Sequence, residues 1–334
     1  MTQTLTSRLA IGLTVLLQAG LSIAQALPQG NTGIAARYPG DAAIAGDPAV
    51  IFADDFESYS SASGLTANGR WNQVFHASNT RIATEAGNVL AGSKSLEFTL
   101  PLVSGEVSNE AIKYISPAQD TIFLRFHAKF DAGFNVLGSS HNGGMIQASY
   151  WDGPGSGPGI PADGYNKFLV SFEASRDTTD IPNPGSLNVY IYHPEQRDIW
   201  GDHFYPTGRV VPYDRTPGNF GSTFVARPEV VPALGRWYAY EVMVKANTPG
   251  LRDGRIALWL DGALIADFPN LRLRDTTDLK IDRVGINLHA NGGIKATSKK
   301  WYDNVVVAKS YIGPLANGSA PPPPLPAPTN LRVQ

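Results

Sequence analysis

Gly235–Val307 reads GRWYAYEVMVKANTPGLRDGRIALWLDGALIADFPNLRLRDTTDLKIDRVGINLHANGGIKATSKKWYDNVVV, and this stretch decides the fold. Four strands follow one another in it. Tyr238, Tyr240, Val242 and Val244 alternate with Glu241 and Lys245, and Ile256, Leu258 and Leu260 alternate with Trp259 and Asp261. Val284, Ile286 and Leu288 alternate with Asn287 and His289, and Tyr302 to Val307 closes the set. A period of two sends successive side chains to opposite faces, so each run predicts a half-buried strand. Asn247-Thr-Pro-Gly, Asp261-Gly262 and Asn291-Gly-Gly separate the runs with the residue types that turns require. Strand and turn repeating this regularly predict a large antiparallel sheet.

Upstream the pattern continues. Strands are expected at Gly69 to Phe75, Ser95 to Leu100, Glu110 to Ile115, Thr121 to Phe130, Gly144 to Tyr150, Asn166 to Glu173, Ser186 to His193 and Thr223 to Val225. No amphipathic helix longer than about three turns is expected. Trp151 to Asp163 is a Gly/Pro loop, and Trp200 to Phe224 is a longer irregular one carrying aromatics, Arg209 and Arg215. Loops of that length in a compact domain are usually functional or poorly ordered. The reading is an all-β, antiparallel β-sandwich over residues 50–312. Residues 27–49 form an aperiodic lead-in, and residues 313–334 form a proline-rich tether.

Composition narrows the function classes. With 43% apolar residues in 334, the chain can bury a full core. A formal charge of −2 offers nothing to nucleic acid or to an anionic membrane. There is no cysteine, which excludes disulfides, thiol nucleophiles and cysteine metal ligands. Arg8, the apolar run from Leu9 to Ala24 and the small-x-small Ala24-Gln25-Ala26 form a signal-peptide pattern over residues 1–26, so secretion after cleavage near Ala26 is expected. The run is too short to span a bilayer comfortably.

Alternation also says which polar side chains leave the core. Along Thr121 to Phe130, Leu124, Phe126 and Phe130 point one way, and Arg125, His127 and Lys129 the other. Lys167, Leu169 and Ser171 face outward on their strand, as do Asn188, Tyr190 and Tyr192 on theirs and Asn287 and His289 on theirs. If these strands are neighbours, they make one cationic, aromatic groove suited to an acidic polysaccharide. The solvent face of any sandwich is polar, so a lone Lys129 there is ordinary.

Several blocks resemble the jelly-roll, concanavalin-like polysaccharide lyases, in particular family 14 with its alginate and glucuronan-type lyases. They are Thr121-Ile-Phe-Leu-Arg-Phe-His-Ala-Lys-Phe-Asp-Ala-Gly-Phe, Ser139-Ser-His-Asn-Gly-Gly-Met, Asn188-Val-Tyr-Ile-Tyr-His-Pro, Gly235-Arg-Trp, Asn247-Thr-Pro-Gly, Asp253-Gly, Trp259-Leu-Asp-Gly and Tyr302-Asp-Asn. The resemblance covers roughly Phe52 to Val307. It implies β-elimination at a uronate, which needs a group to neutralise the carboxylate, a base for the C5 proton and an acid for the leaving oxygen. It places His141 where the family pattern carries a catalytic lysine. It implies that His141 with Tyr190 or Tyr192 moves the protons and that Arg125 with Lys167 holds the carboxylate. His127, Gln147, Asn188, Asn287 and His289 are then the substrate-binding candidates. The first and last strands lie together in this superfamily, so Asp55 and Glu57 beside Asp303 are candidate ligands for a structural calcium ion. No catalytic cofactor is expected.

Other readings stay open, among them a structural or surface protein whose groove is unused. The same fold and groove serve a non-catalytic, lectin-like carbohydrate-binding module. Glycoside hydrolysis is weakly supported, because the Glu-x-Asp-x-x-Glu pattern of sandwich glucanases is missing and Glu173 and Asp152 read as isolated acids. No Gly-x-Ser-x-Gly elbow or HExxH motif occurs.

Overall fold

The computed structural model describes residues 26–67, 69–212 and 220–316. The signal-peptide pattern up to Gln25, Arg215 and the proline-rich tether beyond Ala316 lie outside the described residues. Strands β1 (Val50–Asp54), β2 (Gln73–Phe75), β3 (Thr80–Ala83), β4 (Ser95–Leu100), β5 (Val107–Gln119) and β6 (Thr121–Phe130) come first. β7 (Ser140–His141), β8 (Gly144–Ala148), β9 (Phe168–Ser175), β10 (Ser186–Tyr192), β11 (Asp202–Phe204) and β12 (Val210–Val211) follow. β13 (Trp237–Lys245), β14 (Gly254–Leu260), β15 (Ala263–Leu271), β16 (Ile281–Ala290) and β17 (Ser298–Ala308) complete the chain. Among the described residues the one α-helical turn is Gly64–Ala67, and no helix is long and apolar enough to cross a membrane.

These strands form two antiparallel sheets. The first, eight-stranded, runs β15-β14-β13-β6-β17-β4-β3, with β1 paired to β17; the second, nine-stranded, runs β12-β11-β10-β9-β8-β16-β5-β2, with β7 paired to β16. The fold is an all-β jelly-roll sandwich. Its core lies between the inner faces, where Leu124, Phe126 and Phe130 of β6 meet Phe168, Val170 and Phe172 of β9. Phe126 stacks on Tyr240 at 5.2 Å between ring centroids, which ties β6 to β13. The expected alternation holds along β6, β9, β10, β13, β14 and β16.

Three expectations are corrected. Gly235–Val307 holds five strands, since β15 follows the Asp261-Gly262 turn; its irregular sequence, with Pro269 and Asn270, and a shifted register masked the period. Asp261 and Gly262 take φ of 50° and 78°, the left-handed pair of a tight hairpin. The stretch also divides, because β16 crosses to the other sheet. Thr223 to Val225 forms no strand.

The lead-in is not filler. It crosses the outer face of the first sheet, where Ile34 and Ile44 pack with Phe123, Met243, Trp259 and Tyr311. Ile34 N and Ala35 N donate to the carbonyls of Tyr311 and Ile312 at 3.1 and 2.8 Å, and Gly40 N donates to Ala316 O at 2.9 Å. Buried Glu241 accepts from Ile312 N and Gly313 N, both at 2.8 Å. The two ends of the described chain thus clasp each other behind the sandwich.

Candidate active site

The outer face of the second sheet carries a cleft of about 640 Å³. Its floor comes from alternate residues of neighbouring strands: Tyr190 and Tyr192 of β10, Leu169 and Ser171 of β9, Met145 of β8, Asn287 and His289 of β16, Glu110 of β5, His141 of β7 and His203 of β11. Antiparallel register sets Asn188 opposite Glu173, Tyr190 opposite Ser171 and His203, and His289 opposite His141.

His141 is held from several sides. The chain after it must pass close over β9, and a Cβ at Gly143 would sit 1.7 Å from Phe172 O, so only glycine fits there. Asn142 mimics a strand residue: its amide accepts from Ala174 N at 2.9 Å and donates to Ala174 O at 2.8 Å. Asn287 Oδ1 accepts from Gly143 N at 2.9 Å. From the core side the buried Lys300 amine donates to the Asn142 carbonyl, caged by the rings of Phe130, Tyr240 and Tyr302.

The electrostatics centre on one pair. His141 Nδ1 lies 2.9 Å from Oε2 of Glu173, whose carboxylate is fully buried. Burial disfavours the imidazolium, but the charge and hydrogen bond of Glu173 outweigh it and raise the His141 pKa above its ordinary value. The neighbouring histidines go the other way. Burial, then repulsion from His141, pushes His289 down to about 4. Burial also lowers His203, where attraction by Glu173 and repulsion by His141 oppose each other. Burial raises Glu110 to about 7 against the pull of His141.

His203 also has a defined tautomer. Asn188 Nδ2 donates to Ser186 O at 3.1 Å, so Asn188 Oδ1 accepts from His203 Nδ1 at 2.8 Å, which leaves Nε2 with a free lone pair. Tyr190 stands between the imidazoles, its ring 4.5 Å from that of His141 and 5.0 Å from that of His203. Its hydroxyl accepts from Gly201 N at 3.0 Å, and burial beside Tyr192 pushes its pKa far up, so it is a phenol with a proton to give. The Tyr192 hydroxyl accepts from Gly159 N at 3.2 Å. Ser171 Oγ and Glu173 Oε1 are buried with no hydrogen-bond partner among the described residues.

The expected site residues divide. His141, Tyr190, Tyr192, Asn287 and His289 line one cleft. Asn188 and Gln147 lie on the same sheet face, both buried; Asn188 acts on His203, and Gln147 contacts Met145 Sδ at 3.8 Å. Lys167 neighbours the cleft without lining it. Its amine donates to the Gly157 carbonyl beneath the Gly/Pro loop, 4.3 Å from the Tyr192 ring centre, and burial lowers it to about 8.

Arg125 and His127 are corrected in place. β6 belongs to the first sheet, so both face its outer side, under the lead-in. Arg125 is fully buried, pairs with Asp41 at 2.6 Å and contacts His127 Nδ1 at 2.9 Å. Neither reaches the cleft. The calcium candidates find no shared ligand set. Glu57 Oε1 accepts from Ser93 N and Lys94 N, Asp303 Oδ2 accepts from Leu90 N and Ala91 N, and Asp55 Oδ1 accepts from Glu57 N. Among the described residues no group of three His, Asp or Glu is placed to hold a metal ion. Two groups that the sequence reading passed over are central. Glu173 is not an isolated acid, and His203 sits in a short strand inside a stretch expected to be irregular.

No protein-family model and no curated protein sequence matches the chain. Solved structures do. The alginate lyase Aly36B, in complex with an alginate tetrasaccharide, superposes with a TM-score of 0.56 at 19% identity, over 79% of this chain and 98% of that one. The alginate lyase of Aplysia kurodai gives 0.51 at 14% identity over 78% and 99%, and vAL-1 from Chlorella virus gives 0.50 at 17% over 74% and 97%. At these identities the likeness shows the fold, the jelly roll that the sequence blocks resemble.

Proposed function

We propose that the protein is a polysaccharide lyase that cleaves a uronate-containing polysaccharide by β-elimination, and that it acts as a secreted enzyme. The observation that carries the reading is the buried Glu173–His141 pair set beside a neutral histidine and a protonated phenol. Elimination at a uronate asks for those three states. The His141 imidazolium neutralises the substrate carboxylate and the enolate-like charge that grows on it, with the Asn287 amide beside it. His203 Nε2, its other nitrogen bonded to Asn188, takes the C5 proton. The Tyr190 phenol gives its proton to the departing glycosidic oxygen.

This assignment moves the carboxylate from Arg125 and Lys167 to His141, since the former is behind the other sheet and the latter is spent on Gly157. Tyr192 and His289 shape the floor and contact the sugar. The signal-peptide pattern of residues 1–26 and the fold shared with alginate lyases support an extracellular polymer as substrate.

Ultraviolet absorbance of the unsaturated uronate product, followed over a panel of uronate polymers, tests the reading. Absorbance growth that Tyr190→Phe abolishes, while polymer affinity persists, is the expected result. Binding without product on every polymer bound makes the protein a carbohydrate-binding module instead.

A further inference from the structure

The cleft has an unusual charge for a polyanion site. Among the described residues no lysine or arginine lines it, while Glu106, Glu110 and Asp198 do. Two basic side chains near it, Arg283 and Lys167, are engaged elsewhere. Arg283 Nη1 donates to the Tyr150 carbonyl at 2.7 Å, and its Nε contacts Asp282 at 3.2 Å. Lys167 is bonded to Gly157. Among the described lining residues, positive charge thus centres on the His141 imidazolium, since burial lowers the pKa of both His203 and His289.

At one end the wall turns aromatic. Trp151 and Trp200 line the cleft and are 65% and 51% exposed. Both are seated by the Gly/Pro loop. The Trp200 ring lies 3.5 Å from where a Cβ of Gly159 would be, and the Trp151 ring 3.7 Å from that of Gly157. Ser149 and Trp151 hold φ of 48° and 63°, a left-handed conformation that non-glycine residues adopt at a cost of about 1–3 kcal/mol each. A strained backbone that turns an indole into solvent has a use in presenting a flat apolar face, and that is what the uncharged face of a sugar ring stacks on.

We propose that the cleft selects a backbone in which an isolated uronate is flanked by neutral sugars, the uronate meeting His141 and the neutral rings stacking on Trp151 and Trp200. The inference rests on the lyase reading for the uronate and on the indoles for its neighbours. A polyuronate carries a carboxylate on every ring. One of them pairs with His141, and those on either side meet a lining that carries the carboxylates of Glu106 and Asp198, where like charges repel. A sparsely charged chain escapes that repulsion.

The experiment compares the intact protein on deacylated gellan oligosaccharides, in which a 4-linked glucuronate lies among neutral sugars, with alginate and glucuronan oligosaccharides of equal length. Affinity is read by tryptophan fluorescence at two ionic strengths, and unsaturated product by absorbance. Tighter binding of the gellan probe by about tenfold or more is expected, with shallow salt dependence and a loss of about tenfold in Trp151→Ala or Trp200→Ala. Higher kcat/KM on either polyuronate overturns the substrate class and leaves the lyase reading standing. Gellan binding without product supports the substrate class and removes the lyase reading. Binding to neither probe, or indole variants that bind gellan as the parent does, overturns the inference.

Discussion

Replacing Glu173 by Gln keeps an acceptor for His141 Nδ1 and removes the charge. At the observed 2.9 Å and an effective dielectric near 20, two unit charges attract by about 6 kcal/mol, most of which repays the burial of both groups. In the parent, the Glu173 charge holds His141 above its ordinary 6.5 against burial. In Glu173→Gln burial is opposed only by the lesser pull of Glu110, and the His141 pKa drops. His141 must be charged to meet the carboxylate, so it sets the alkaline limb of kcat/KM; His203 must be neutral, so it sets the acid limb. Glu173→Gln therefore moves the alkaline limb toward acid, each unit of displacement costing about tenfold in kcat/KM on that limb and little at acid pH. Stability follows the same sign. A raised histidine pKa contributes stability that is complete below the ordinary value and lost as pH rises through the raised one, and the variant lacks that contribution. Absorbance assays over a pH series, with proton NMR titration of His141, read both effects. An alkaline limb that stays put while His141 titrates lower refutes the assignment of His141 to the carboxylate, and a uniform loss at every pH does the same.

Tyr190→Phe is expected to lower kcat by about 10² to 10⁴ with KM within a few-fold, read by absorbance, whereas Tyr192→Phe, whose ring packs on Tyr150 and Tyr190, costs far less. Asn188→Ala frees His203 to change tautomer; a fall in kcat larger than any rise in KM is expected, with the acid limb displaced. Asp41→Ala strands the buried Arg125 charge and should destabilise by about 3–5 kcal/mol in denaturant unfolding, with kcat/KM unchanged because the pair lies behind the other sheet. Lys300, 1% exposed, is pushed well below lysine's ordinary value by burial, so the unfolded chain binds the extra proton and stability climbs with pH in that interval. Lys300→Met should flatten that climb, and a slope equal to the parent's contradicts the buried-amine account.

Much of the fold was legible because a period of two states which side chains are buried, whatever the strand order. β6 was read to its observed limits, and the inward sets of β9, β10 and β16 were those that pack in the core. What alternation cannot state is which sheet a strand joins. The outer faces of both sheets look alike in sequence, polar with scattered cations and aromatics. Arg125 and His127 thus resembled Tyr190 and Tyr192 in pattern while lying on the far side of the core. Glu173 shows the reverse failure. Its outward position followed from Leu169 and Ser171, on the face of the tyrosines, but its partner His141 is 32 residues away in the chain and meets it only through the two-residue strand β7. His203 was hidden in the same way, in a three-residue strand whose only recognisable neighbours are across the sheet. The lead-in has no period because it follows the irregular outer surface of a sheet and makes no ladder of its own.

The clasp between residues 33–40 and 311–316 also fixes how the molecule can be handled. Both ends of the described chain leave from the side away from the cleft. A resin or a fused partner attached beside Pro39 or Ala316 would grip the protein by its reverse, leaving the cleft open to long, slow-diffusing polymers. Immobilisation through a residue of the clasp should therefore preserve turnover on high-molecular-weight substrate, and coupling through the loops that carry Trp151 and Trp200 should abolish it.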